Sequence, residues 1–393
     1  MNLKSKCKVV SMMMALVLAA GSLTGCSSSG DGETTAAGTT AGGASTEAAG
    51  TTAADTGADT TAADTTAADT EAAAGGDYAD VITMVWYPNE SAEDYDVARD
   101  EFAALIEQAT GKKVEHRLTT DYAIAIESIA SGSAQICFMG AQGYVEAKAS
   151  NDAVMPLFVN SGASGTLDDA LYYSFLAVRE GDETQYMNGE EYSIDNIQGK
   201  SISFVSNSST SGFQVPTSSI VTHFNAMPEW ADLTADDLIE GGSDQFFSEV
   251  LFGGSHQGSA YNLMSGRADI AAFCDTEIAA YADCTGGEER KAGSVYTIKE
   301  DASAPFDTVT GQNFVVIQST PVLNGPFVYN SDTLSPDDVK AIQDLFTSEE
   351  VTNNEKIFVT ENSEAAGMFD REESAGFVLV EDSWYDPIRE LNQ

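Results

Sequence analysis

"SFVSNSSTSGFQVP", residues Ser203–Pro216, passes from apolar residues into a crowd of hydroxyls, then a glycine, then a helical turn. With the preceding "KSI" it reads as a strand whose end opens directly into a helix. Backbone N–H groups at a helix start are unpaired, and with the helix dipole they attract anions. Ser209, Thr210 and Ser211 add hydroxyl donors, and Gly212 allows close backbone approach. Taken alone, the motif also fits a plain N-cap in a serine-rich loop.

The same strand–turn–helix unit recurs on both sides. Upstream, "VITMVWY" (Val81–Tyr87) is a strand. A helix follows with Phe102, Leu105, Ile106 and Ala109 on one face, Ser91 and Asp94 as a capping box and Gly111 as its stop. Val114–Leu118 is a second strand, and Thr120/Asp121 cap a helix bearing Ile126, Ile129 and Ala130. "QICFM" (Gln135–Met139) is a third strand, with a helix opening at Gly140, and "AVMPLFV" and "YYSFLAV" are further strands. Downstream, "FSEVLFGG" and "RADIAAF" read as strands, and "SHQGSAYNLMSG" and "TEIAAYAD" as helices. "NFVVIQ" and "GPFVYN" are late strands, Ser335-Pro336 starts a helix, and the tail reads as mostly helical.

Alternation of this kind predicts parallel α/β sheets, and two such series predict two lobes. The expected division is 77–179 and 321–393 for the first lobe and 180–320 for the second. Ligands in open α/β sheets sit beyond the carboxyl ends of strands. "YPNES", "TTDY", "MGAQG", "SNSSTSG" and "GGSHQG" all fall there, which points to a cleft between the lobes.

The first 76 residues read as something else. Lys4, Lys6 and Lys8 precede an apolar run, Val9–Ala20, that is too short to span a bilayer. It ends in "LTGC", which looks like a lipobox with Cys26 as the lipid-carrying residue, making 1–26 a signal peptide. Residues 27–76 are Ala, Thr, Gly, Ser, Asp and Glu, with no aromatic residue and no Val, Ile, Leu or Met. Such a segment cannot bury enough apolar area to offset its ordering entropy, so a disordered tether is expected. Its root-mean-square span would be roughly 40 Å.

The chain carries a formal net charge of −44, and residues 77–393 alone hold 54 acids against 15 bases. A nucleic-acid partner is excluded by that balance. Cys137, Cys274 and Cys284 have no CxxC or zinc spacing, and His116, His223 and His256 are scattered, so no metal is expected. Cys274 and Cys284 are expected to be free thiols, held apart by the helix between them. No GxSxG elbow, P-loop, HExxH or GxGxxG after a strand appears, so no enzyme chemistry is indicated.

His256, at a predicted helix start, can donate to an anion or satisfy a loop carbonyl. Tyr87, Tyr122 and Tyr144 lie at element ends, where a phenol serves a ligand or the core. Asp275 and Glu277 could hold a ligand amine or cap a helix.

Four stretches, "YPNESAEDYDVARDEFAALIEQATGKKVE", "TTDYAIAIESIASGSAQICFMG", "STSGFQVP" and "GSHQGSAYNLMSGRADIAA", together resemble the phosphate/phosphite/phosphonate ABC-importer substrate-binding proteins. The likeness runs in order through most of residues 80–390. It implies a type II periplasmic-binding-protein fold, with two lobes, two crossover segments and hinged closure. It also implies a small phosphorus oxyanion as ligand, a membrane permease and its ATPase as partners, and no cofactor. Together with the lipobox, it implies a monomer anchored by lipid alone at the extracellular face of a Gram-positive-like membrane.

In the family, the Ser-Thr-Ser helix start and a histidine hold the phosphono group, and Ser209, Thr210, Ser211 and His256 match them. Tyr122 matches a tyrosine facing the ligand, and Glu277, or less well Asp275, matches a carboxylate. Met139 stands in "FMG" where the aminoalkylphosphonate binder has a tyrosine, and Asn324 and Gly325 stand where it has an acid. The groups serving the ligand's amino end are thus changed, and phosphate, phosphite and other phosphonates stay open. The rival readings are the same fold on another solute such as a sulfonate, a sensory role, and an enzyme built on the fold.

Overall fold

The computed structural model describes residues 78–88, 95–360 and 367–391. The predicted signal peptide, Cys26, the tether and the Ser91/Asp94 cap lie outside the described residues.

The first half runs β1 (Val81–Trp86), α1 (Asp96–Thr110), β2 (Lys113–Leu118), α2 (Tyr122–Ala130), β3 (Ile136–Phe138), α3 (Ala141–Ser150), β4 (Val154–Asn160) and β5 (Leu171–Arg179). Next come a small hairpin, β6 (Met187–Asn188) and β7 (Glu191–Tyr192), then β8 (Ser201–Phe204) and α4 (Val215–Phe224). β9 (Glu249–Phe252), α5 (His256–Met264), β10 (Ile270–Cys274), β11 (Ala282–Gly286), β12 (Val295–Ile298) and β13 (Asn313–Leu323) follow. The last part holds β14 (Phe327–Asn330), α6 (Pro336–Phe346), α7 (Glu349–Thr352), β15 (Phe358–Val359), β16 (Phe369–Asp370), β17 (Phe377–Val378) and α8 (Asp386–Glu390).

Two main sheets form. One has the order β17-β4-β14-β3-β1-β2, the other β11-β12-β13-β5-β10-β8-β9. Parallel pairing holds where helices connect strands, in β2–β1–β3 and β9–β8–β10. It fails between the consecutive strands β11, β12 and β13, and where the chain passes straight from one sheet to the other and enters against that direction. Thus β5 is antiparallel to β10, and β14 is antiparallel to β3 and β4. β5 pairs in the second sheet, so by strand membership the passage falls between Asn160 and Leu171, ahead of the boundary at 179/180 drawn from sequence.

The two crossovers run side by side. β13 and β5 are antiparallel neighbours from Phe314↔Arg179 to Leu323↔Leu171. Asn324 then ties the crossovers together. Its N–H donates to Ala170 O at 3.0 Å, and its side-chain amide donates to Asn160 O at 2.9 Å.

Local sequence explains the elements. Gly111 ends α1 in the left-handed region (φ 70°), and Phe102, Leu105 and Ile106 are buried as predicted. Asp121 caps α2 by accepting from Ala123 N at 2.7 Å, and Ser335 caps α6. Phe102 stacks on Phe327 and Phe346, with centroids at 4.9 and 5.4 Å, in a core shared with Phe158 and Phe377. Each fully buried side chain of this size contributes about 1.5–3 kcal/mol.

Two predicted elements differ. "TEIAAYAD" is not a helix: residues 276–281 are turns, tied by Ile278 N and Ala279 N to Asp275 O, and the chain then enters β11. Cys274 and Cys284 are free, as expected, but without an intervening helix. The tail after α7 is mostly loop with three two-residue strands, since phenylalanines 358, 369 and 377 reach into the core one at a time.

Candidate functional site

Four helix starts meet at one cavity of about 430 Å³ between the lobes. Tyr122 opens α2 and Gly140 is the N-cap of α3, both from the first lobe. From the second lobe, Ser209 caps a helical turn with Thr210 and Ser211 in it, and His256 opens α5. All of these residues line the cavity. Each start carries N–H groups with no partner inside its own helix and the positive end of a dipole, so the positive ends of four helices face one space.

The Ser-Thr-Ser turn has an unusual build. Thr210–Gln214 is a wide, π-type turn that runs directly into α4. Pro216 has no N–H to give Gly212 O, and Val205 N donates to that oxygen instead, at 3.2 Å. Gly212 is required there: a Cβ would stand 2.2 Å from the Val205 side chain. Ser209 Oγ accepts from Gly212 N at 3.1 Å. Ser211 Oγ is buried and meets no hydrogen-bond partner among the described residues, with the Tyr172 phenol beside it. A buried hydroxyl left in this way is a ready donor for a ligand.

His256 is fixed in role by its neighbour. Cys274 N donates to His256 Nδ1 at 3.1 Å, so in the neutral ring the proton sits on Nε2. Burial lowers the His256 pKa from 6.5 to about 3, so the ring is neutral at ordinary pH. It therefore offers one N–H donor rather than a charge.

The lobes touch at this same turn. Gln142 N, in the first turn of α3, donates to Thr210 Oγ1 at 2.9 Å. Ser208 Oγ donates to Glu146 Oε2 at 2.8 Å, and the other Glu146 oxygen accepts from the Gln142 side chain at 2.9 Å. The Tyr122 phenol reaches the Ser209 hydroxyl across the cleft.

Of the remaining sequence candidates, Met139 and Glu277 line the cavity, and Tyr87 and Asp275 do not. Tyr87 packs behind Tyr122, with centroids 4.5 Å apart, and its hydroxyl fills the place that a Cβ at Gly143 would take. Asp275 is committed within the protein. Its Oδ1 accepts from Tyr173 N at 2.8 Å, and its Oδ2 lies 2.8 Å from Arg290 Nε. Asn324 lines the cavity, but its amide is used to brace the crossovers. Sequence reasoning missed Arg290 and Tyr172, both of which line the cavity. Arg290 sits in a polar loop, "GGEERKAGS", with no motif to mark it, and Tyr172 lies in a run that reads as core strand.

With this geometry in place, comparison is informative. Residues 84–385 match the family of phosphonate ABC-transporter periplasmic substrate-binding proteins. The chain belongs to this family. The phosphate-import protein PhnD of Mycolicibacterium smegmatis is 25% identical over 324 residues, covering 80% of this chain and 85% of that protein. A binding-protein component of an ABC phosphonate transporter from Pseudomonas aeruginosa is 17% identical, with a TM-score of 0.55 over 79% of this chain and 85% of that one. PhnD1 of Prochlorococcus marinus, solved with methylphosphonate, is 14% identical, with a TM-score of 0.54 over 80% of this chain and 97% of that one. These two structures share the two-lobe fold. As a family member, the chain is an ABC-importer substrate-binding protein, not an enzyme, with a permease and an ATPase as partners. Among the described residues, no helix is long and apolar enough to cross a membrane.

Proposed function

We propose that this protein captures a phosphorus oxyanion outside the cell membrane, held there by lipid on Cys26, and delivers it to its importer as a monomer. The observation that carries the reading is the meeting of four helix starts, from both lobes, at one cavity. Ser209, Thr210, Ser211, His256 and Tyr122 hold the anion. Met139 and Glu277 border the rest of the ligand, and Tyr87 and Asp275 support these groups from behind.

The acidity of the chain does not oppose this. Surface charges act through salt water with a Debye length of about 8 Å, whereas the donors act at contact. Charge-assisted hydrogen bonds contribute about 1.5–3 kcal/mol each. Four to six of them, less closure and desolvation costs, reach about −8 kcal/mol, which is micromolar binding.

Thermal unfolding tests the ligand class. A phosphorus oxyanion at a hundred times its Kd stabilises by about 2.7 kcal/mol, a rise in Tm of several degrees. A rise with sulfate and none with phosphate, phosphite or methylphosphonate contradicts the reading. Labelling of cells with a clickable fatty acid tests the anchor: the label is expected on the protein and lost in Cys26→Ser. Equal labelling of both removes the lipid from Cys26.

A further inference from the structure

Arg290 is a cation in the wall of the cavity of a strongly acidic protein. Its Nε is engaged by Asp275 at 2.8 Å, and its guanidinium lies over the Tyr173 ring at 5.7 Å. Among the described residues, its two terminal nitrogens meet no partner, and Asp275 is the one carboxylate within 4 Å. Four N–H donors in a rigid fork are therefore available. Glu289 and Glu372 act on Arg290 from a distance and are exposed, and Glu372 lines the same cavity, as Glu277 and Asp370 do.

The loop is built to hold this side chain in place. Arg290 has φ 62°, a conformation uncommon for a residue with a side chain. Its N–H donates to Tyr296 Oη at 3.3 Å, and its carbonyl accepts from Ser319 Oγ at 2.7 Å. The link to the anion turn is short: Asp275 follows Cys274, whose N–H holds His256. Arg290 and His256 thus border one space without sharing a partner.

The cavity has room for a ligand with two ends. Five heavy atoms, at the roughly 30 Å³ that water gives each, take about 150 Å³. The cavity offers about 430 Å³.

Resting on the proposed function, we infer that Arg290 is a second anion subsite, and that the ligand is a phosphonate bearing a carboxylate at its far end. A guanidinium fork matches a carboxylate with two parallel hydrogen bonds. Arg290 favours an anion at the far end where Glu277, on the same cavity wall, favours an ammonium, and the titration decides between them.

Calorimetric titration of the purified protein with methylphosphonate, 2-aminoethylphosphonate, phosphonoacetate and 3-phosphonopropionate tests this. At least one carboxylated compound is expected to bind about tenfold or more tighter than methylphosphonate. In Arg290→Gln that ratio should collapse to within about threefold, with Arg290→Lys between, since it keeps the charge and loses the fork. If methylphosphonate or 2-aminoethylphosphonate binds as tightly as the carboxylated compounds, or the ratio survives in Arg290→Gln, the inference is overturned and the proposed function stands. If no phosphorus compound binds, the proposed function fails and takes the inference with it. Should Arg290→Gln not fold, the ranking by the native protein decides.

Discussion

The backbone N–H of Gln142 donates to the Thr210 hydroxyl at 2.9 Å, joining α3 of the first lobe to the anion turn of the second. The turn proposed to bind the ligand is therefore also a contact that closes the lobes. Ser208 and Glu146 add a second such contact one helical turn further along α3.

Glu146 does not line the cavity, so its effect on affinity should act through closure alone. Glu146→Ala is expected to raise the Kd of every ligand by a common factor of about three, the loss of about one hydrogen bond. Calorimetry across several ligands checks this. A change in ligand ranking would place Glu146 in contact with the ligand instead.

Ser211→Ala should separate binding from stability. The Ser211 hydroxyl is buried with no partner among the described residues, so removing it costs the fold little. Affinity for the anion should fall about tenfold or more while Tm stays within a degree or rises. Unchanged affinity removes Ser211 from the site.

His256 has a pH signature. Its folded pKa of about 3 lies below the ordinary 6.5 because burial penalises the charged ring. Between those values the unfolded chain binds a proton that the folded chain does not. Its contribution to stability is therefore full above pH 6.5 and is lost as pH falls toward 3, by up to about 1.4 kcal/mol per unit. Urea unfolding of His256→Gln between pH 4 and 7 should show a correspondingly shallower acid loss. Parallel curves for the two proteins would mean that the ring charges readily in the fold.

Phe102 tests the first-lobe core. It meets Trp86, Phe327, Phe346 and Phe377 with centroids between 4.9 and 6.0 Å. Phe102→Ala should cost about 3–5 kcal/mol in chemical denaturation. A cost below about 1 kcal/mol would contradict the packing described.

Much of this was legible in sequence because it is local. Hydrophobic spacing marks α1, Gly111 marks its end, and the hydroxyls before Gly212 mark the anion turn. The resemblance then placed His256 and Tyr122 beside that turn. What stayed hidden depends on partners distant in sequence. Asp275 reads as a ligand carboxylate until Arg290 and the Tyr173 N–H are seen to hold it. Tyr87 looks like a ligand group, yet the bare backbone of Gly143 makes a pocket for its hydroxyl. The apparent helix at 276–281 failed because its apolar spacing serves turns tied back to Asp275. Arg290 carried no signal at all, since an arginine among acids in a polar loop looks like solvated surface.

The most direct test of the central claim is calorimetric titration of the purified protein with phosphate, phosphite, methylphosphonate, 2-aminoethylphosphonate, phosphonoacetate, 3-phosphonopropionate and sulfate. Micromolar or tighter binding of at least one phosphorus compound, with sulfate much weaker, is the predicted result. No heat with any phosphorus compound, or sulfate binding as tightly, would contradict the claim and leave the Ser209–Ser211 turn as a helix cap only.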